Sequence, residues 1–357
     1  MKKVVLAFDS FKGCISAREA CEACAQGVRE ACQDAVVVQI PLSDGGEGLV
    51  ECVRQMLPTR SVTVEVHGPL MDMVEAEYAV SADGKTAYME MAAASGLTLV
   101  PQERRNPLKA TTYGVGEMIA DAVKRGCHEI VMGIGGSATC DGGRGMVEAL
   151  KDCRCLDMDC QVIAACDVNN PLFGKNGAAY VFAPQKGATP EQVETLDGRL
   201  RAFAKATEQA GRATPELAFS SGAGAAGGLG YALLAYLNAN LHSGIDIMLD
   251  IAGFDAAIKD ADLVITGEGK SDEQTLMGKV PYGVLKRCRK ANIPVWLLSG
   301  MIDDATGRLA ESFDLVRSIN EGDNRPLSVL MQPDVAKQNL KERVSFLVAN
   351  YHELSMN

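Results

Sequence analysis

The sequence predicts an α/β protein of two domains: a parallel-sheet domain of flavodoxin or Rossmann type built from both chain ends, and a mixed α/β domain inserted between them. Three observations predict it. With 357 residues the chain is long for one hydrophobic core. Near both ends, apolar runs stop at glycine loops, KVVLAF (3–8) before DSFKG and DLVITGEG (262–269). The middle instead alternates apolar and polar residues, as in SVTVEVHGP (61–69) and VEAEYAVSADGKTAYMEM (74–91), the pattern of half-buried strands. The expected boundaries assign 1–60 and 256–357 to the parallel domain and 61–255 to the insertion.

Taken in order, KVVLAF is a buried strand. Ser16, with Glu19 three residues on, forms a capping box for a helix to about Cys32. AVVVQIPL (35–42) is the next strand, and strand, helix and strand make a right-handed parallel unit. In the alternating region Asp83-Gly84 marks a hairpin turn. A helix over 111–126 leads into the strand EIVMGIGG. QVIAACDV (161–168) and GAAYVFAP (177–184) read as further strands, before a helix to about Thr207. Beyond the insertion, VPYGVLKRCRKA (280–291) is helical, and IPVWLLSG (293–300) and FDLVRSIN (313–320) are strands. VAKQNLKERVSFLVANYHEL (335–354) is the last helix.

Composition narrows the function. A net charge of −11 argues against nucleic acid and anionic membranes, whose binding rests on a basic surface. A small anion needs only a few N–H groups and one or two lysines. No run approaches the roughly 20 apolar residues of a membrane span. The apolar stretch after Lys3 is also too short for a signal-peptide core. The twelve cysteines sit in helical or apolar patterns, without the paired spacing of a zinc site. Free thiols in a cytoplasmic protein are the expectation. Monomer and homodimer both remain open.

Chemistry points to the loops where strands end and glycines arrive with a carboxylate or lysine. These are DSFKG (9–13), DGGEG (44–48), GIGGSATCDGG (133–143), DVNNPLFG (167–174), PQKG (184–187), SGAGAAGG (221–228) and TGEGKSDEQT (266–275). Ligands of open parallel sheets sit beyond the carboxyl ends of strands. Bare backbone there directs N–H groups at an anion, and carboxylates hold Mg²⁺ or accept a proton from a hydroxyl. For Asp141 the competing reading is a helix cap, and for Asp44 and Glu47 it is a turn. Lys12 and Lys186 divide between ligand binding and solvated loop. Glu268 and Asp272 straddle Lys270 just past a buried strand. VITGEGKS (264–271) fails as a P-loop because Val264 stands where a glycine is required. GAGAAG (222–227) matches a dinucleotide fingerprint but lacks a buried strand before it, so close packing of the following helix competes with ligand binding.

These same loops resemble the type I glycerate kinase family over nearly the whole chain. DSFKG, DGGEG, ATTYGVGE, GIGGSATCDGGRGM, DVNNPL, PQKGA, GAGAAGGLG, GIDIMLD, ITGEGKSDEQTLMGK and PYGV appear in the family's order. The resemblance implies transfer of the γ-phosphoryl group of ATP to D-glycerate with Mg²⁺, usually giving 2-phosphoglycerate, in a cleft between two α/β domains. Cys140 departs from the usual Asn, Arg144 from a small residue and Leu49 from Thr. The segment 151–162 is shorter than in the family.

Phosphoryl transfer asks for positioning and charge neutralisation. The expected roles follow. Gly135, Gly136, Ser137 and Gly224 bind ATP phosphates, while Ser10, Gly45, Gly46 and Glu47 bind the acid. Lys186 or Lys12 neutralises the transferring group or holds the carboxylate. Asp167 or Glu268 meets Mg²⁺, and Asp44 or Asp141 orients the attacking hydroxyl. The rival readings are transfer to O3 of glycerate, a nicotinamide-dependent dehydrogenase using GAGAAG, and a noncatalytic phosphosugar sensor.

Overall fold

The computed structural model describes residues 1–43, 48–157 and 159–351. The expected site residues Asp44, Gly45, Gly46 and Glu47 lie outside this set. The main elements are β1 (Lys3–Phe8), α1 (Ala17–Ala31), β2 (Val36–Gln39), α2 (Leu49–Met56), β3 (Thr59–His67), β4 (Met73–Ser81), β5 (Thr86–Glu90), α3 (Tyr113–Lys124), β6 (Glu129–Gly133), α4 (Arg144–Asp152), β7 (Gln161–Ala165), α5 (Pro190–Gln209), α6 (Ala225–Leu237), β8 (Asn240–His242), β9 (Leu263–Gly267), α7 (Val280–Ala291), β10 (Val295–Ser299), β11 (Leu315–Ser318) and α8 (Pro333–Ala349).

The chain divides into two compact units, 1–44 with 245–357, and 45–244. The crossings therefore differ from the expected 60/61 and 255/256. On one side, α2 packs on β4 and β5 of the second unit. On the other, Ile245 presses against Gly283 of α7 in the first.

The first unit holds a five-stranded parallel sheet in the order β11-β10-β9-β1-β2. Strands β1, β9 and β10 are buried at every position but Lys3 and mostly apolar because both faces are covered, as a parallel sheet requires. Helix α1 begins with the capping box: the Ser16 hydroxyl accepts from the Glu19 N–H at 3.2 Å, and the Glu19 carboxylate accepts from the Ser16 N–H at 2.9 Å. Its inner face, with Ala20, Cys24 and Val28, meets Leu340, Val344 and Leu347 of α8 in one core. Counted within this unit, the strand order reverses between β1 and β9, which makes their carboxyl ends the topological switch point.

The second unit has a six-stranded mixed sheet, β3-β4-β5-β6-β7-β8. Strands β3, β4 and β5 pair antiparallel, and β5 to β8 pair parallel. Gly84 takes φ +76° in the β4–β5 turn, a left-handed conformation that glycine adopts without steric cost. One expected strand is corrected. GAAYVFAP contains the helix Ala178–Phe182, with Ala178, Ala179 and Ala183 buried and Tyr180 and Val181 exposed. That burial spacing suits a helix, and its small alanines fit against the core where a strand's alternation fails. None of the twelve cysteines forms a disulfide. Among the described residues no helix is long and apolar enough to cross a membrane.

Candidate functional site

In the first unit a cavity of about 360 Å³ lies beyond the carboxyl ends of β1, β9, β10 and β11. The loop after β1 contributes Asp9, Ser10 and Lys12, and the loop after β9 contributes Glu268 and Lys270. Ser10 is anchored by its N–H, which donates to Asp9 Oδ1 at 2.7 Å. Lys12 is exposed and pairs with no acidic side chain among the described residues. Lys270 pairs with Asp303 at 3.1 Å and Asp272 at 3.5 Å.

Glu268 is only 6% exposed, and its oxygens are committed. Oε1 accepts from the hydroxyls of Thr275 at 2.6 Å and Ser271 at 3.1 Å, and Oε2 faces the Lys279 ammonium at 3.4 Å. Magnesium demands an octahedron of oxygen donors and repels a cation at the same carboxylate. The surroundings of Glu268 do not fit a directly bound Mg²⁺; they fit a buried carboxylate that aims Lys279 into the cavity. Sequence reasoning missed Lys279, because it precedes helix α7 and stands outside the glycine loops. The signal available was a lysine directly before Val280-Pro281, where an N-terminus opens.

In the second unit the loop after β6 meets Lys186. Lys186 is 3% exposed, and its Nζ donates to Ser137 Oγ at 2.5 Å and the Thr139 carbonyl at 2.7 Å. No acidic side chain among the described residues lies within ion-pair distance of it. Burial pushes the ammonium down to about 8, against the upward pull of Cys140 and Asp141. Nearby, the Thr139 hydroxyl is buried without a partner. Among the described residues nothing accepts from the N–H groups of Gly135, Gly136 or Ser137. A buried cation without a counter-charge, beside unused donors, is an environment that an anion completes.

Other glycines of the same loops serve packing. A Cβ on Gly227 would overlap the Thr139 carbonyl oxygen, and one on Gly228 would come within 2.8 Å of Gly142 Cα. Gly224 donates its N–H to the Asn170 carbonyl at 2.8 Å, so that donor is not open to a phosphate. The two glycine loops hold each other in place. Asp141 belongs to this frame: Oδ2 accepts from the N–H of Thr112 at 2.9 Å, its hydroxyl at 2.8 Å and the Gly145 N–H at 3.1 Å, and Oδ1 accepts from the Gly143 N–H at 3.1 Å. Asp141→Asn would turn an amide toward these donors. Urea unfolding is expected to show a loss of roughly 2–4 kcal/mol, with kcat largely kept in the folded protein. A collapsed kcat at an unchanged unfolding midpoint would move Asp141 into the chemistry.

Asp167 follows β7, is exposed, and accepts from the Gly244 N–H at 3.0 Å. Among the described residues no three acidic, histidine or cysteine side chains converge as a metal cage. Cys140 packs with Leu172, Leu196 and Leu200, and burial pushes its thiol up to about 11. Arg144 is exposed and pairs with Glu148 at 2.8 Å. One departure from the expected pattern is thus a core side chain and the other a surface pair.

A parallel sheet with a cavity at its switch point, and in both units a lysine set at or against a loop beyond a strand end, suit an α/β protein to small anionic ligands. The comparisons specify which. The model of the glycerate kinase family matches residues 4–159 and 151–350. A glycerate kinase of Halalkalibacterium halodurans is 43% identical over 329 residues, 85% of this chain and 86% of that one. A glycerate 2-kinase of Escherichia coli K12 is 42% identical over 332 residues, 85% and 87% of the two chains. A crystal structure of a Salmonella typhimurium LT2 protein, named for glycerate kinase 2, covers 100% of both chains with a TM-score of 0.86 and 39% identity. The chain belongs to the glycerate kinase family and is a kinase.

Proposed function

We propose that the protein transfers the γ-phosphoryl group of ATP to the 2-hydroxyl of D-glycerate, giving ADP and 2-phosphoglycerate. The observation that carries this reading is the buried, unpaired Lys186 beside the open N–H groups of Gly135, Gly136 and Ser137. Family membership names the acceptor, and the Escherichia coli relative's name favours O2. Mg²⁺ enters as part of the nucleotide substrate.

In this reading the three N–H groups cradle the phosphates, and Lys186 neutralises charge that develops on the transferring group. Gly45, Gly46 and Glu47 hold the acid, and Lys12 neutralises charge on the nucleotide. The bond from the γ-phosphorus to the bridging oxygen breaks as the glycerate oxygen bonds to phosphorus. The hydroxyl proton passes to a carboxylate. Asp44 takes that role because both Asp141 oxygens are occupied. Asp167 remains the exposed carboxylate able to meet nucleotide-borne Mg²⁺. An active site in an interdomain cleft, as the resemblance implies, is part of this proposal. Twelve cysteines outside any disulfide support a reducing, cytoplasmic setting.

The test is ADP release with ATP, Mg²⁺ and D-glycerate, against L-glycerate and no-acceptor controls, with enolase in a parallel reaction. Prompt phosphoenolpyruvate supports 2-phosphorylation. Phosphoenolpyruvate only after a mutase is added means transfer to O3, and no D-glycerate-dependent ADP overturns the reading.

A further inference from the structure

We propose that the first-unit cavity is the seat of the adenosine moiety of ATP. This inference rests on ATP as the phosphoryl donor, and it is independent of which loop holds the γ-phosphate.

Position is the first argument. The cavity lies at the β1/β9 switch point, where the loops after these strands diverge and leave a crevice in a parallel sheet. Size is the second. About 360 Å³ falls within the range of cofactor-sized pockets, and a three-carbon acid would fill only a fraction of it.

The lining decides the occupant's chemistry. Phe11, Ile319 and Leu330 give buried or half-buried apolar surface. Met301, Leu327 and Met331 line the same cavity while remaining 45%, 56% and 40% exposed. A hydroxy acid would leave this surface uncovered. A flat heterocycle would cover it, and methionine side chains adapt readily to such a ring. Lys12 shares the lining and pairs with no acidic side chain among the described residues, whereas Lys270 and Lys279 are met by Asp303, Asp272 and Glu268; Lys12 therefore calls for negative charge on the occupant. A wholly apolar ligand would leave the Lys12 ammonium unused, and a bare polyphosphate would leave the apolar wall unused. A nucleotide uses both. Glu268 holds Lys279 toward the cavity through the Oε2 contact at 3.4 Å, a positioning role for a carboxylate first read as a metal ligand.

Photolabelling of wild-type protein with 8-azido-ADP, followed by peptide mapping, tests the seat directly. Label is expected on peptides containing Met301 or 327–331. In parallel, ADP is titrated into Leu327→Asp and Met301→Asp, whose exposed positions spare the core. Each variant is expected to weaken ADP binding roughly tenfold while the KM for D-glycerate stays unchanged. GTP titration shows whether the wall discriminates the base. Label confined to second-unit peptides, or unchanged ADP affinity in both folded variants, overturns the seat while ATP-dependent turnover leaves the kinase reading standing. Wild-type protein that neither binds ADP nor phosphorylates D-glycerate from ATP overturns both.

Discussion

Lys186→Met is expected to lower kcat by roughly 10³-fold while the melting temperature moves by only a few degrees. The methionine keeps the stem in its apolar surroundings, which include Leu70, Leu97 and Val100. It removes a buried ammonium that no described carboxylate meets at ion-pair distance, a change often neutral or stabilising. Against this, Ser137 and the Thr139 carbonyl lose a partner, at about 1–3 kcal/mol. These terms oppose each other and nearly cancel. A large activity loss without a stability loss would mark a group kept for chemistry. Retained turnover in the variant would remove Lys186 from the mechanism.

The same lysine sets a pH dependence. Its folded value is pushed down to about 8 from 10.5. The cation that the transfer step uses is therefore lost as pH rises through about 8, and kcat/KM should fall there. A bound polyphosphate favours the charged form, so the corresponding limb in kcat lies at higher pH. Between about 8 and 10.5 the unfolded chain holds the proton that the folded chain has released, so stability should rise with pH in that window. In Lys186→Met this rise should disappear. Lys186→Arg, which stays charged, should lack the alkaline limb even if turnover is slow.

Gly227→Ala is expected to destabilise the second unit by about 3–5 kcal/mol and lower its melting temperature by roughly 10 °C. Gly227 has φ +67° in a left-handed run with Ala226 and Gly228, and its α-carbon faces the Thr139 backbone. The added methyl would have to displace the loop that carries Ser137. Calorimetry and kcat on the same preparation check this. An alanine variant with wild-type stability would show that this glycine answers to a ligand and not to packing.

The frame was legible where the signals are local. Ser16 and Glu19 announce their helix within four residues, and the uninterrupted apolar runs of β1 and β9 announce a sheet covered on both faces. The site was legible only in part. The loops are visible as glycines, but a sequence does not say whether a missing side chain makes room for a ligand or for another loop. Gly136 and Gly227 look alike in the chain, yet one leaves an N–H open and the other meets a carbonyl. Lys186 reads equally as a surface lysine until the loop carrying Ser137 closes over it. The pairing of Glu268 with Lys279 is hidden for the same reason: it is made by a turn that brings Thr275 and the start of α7 back against β9. The short run 177–184 failed because alanine-rich apolar stretches carry no decisive period.

The packing of α1 on α8 reaches beyond the finished structure. Gly27 sits so close to the Lys341 carbonyl that a side chain there would collide with it. Helix α1 is thus shaped for α8, which is made only after the whole second unit. At roughly 5–20 residues per second, its apolar face stays uncovered for tens of seconds while the intervening chain is made. The second unit is continuous in sequence and complete before the first unit receives its final strands. Synthesis therefore leaves α1 waiting, and its guardianship falls to chaperones or to the solubility of the segment itself.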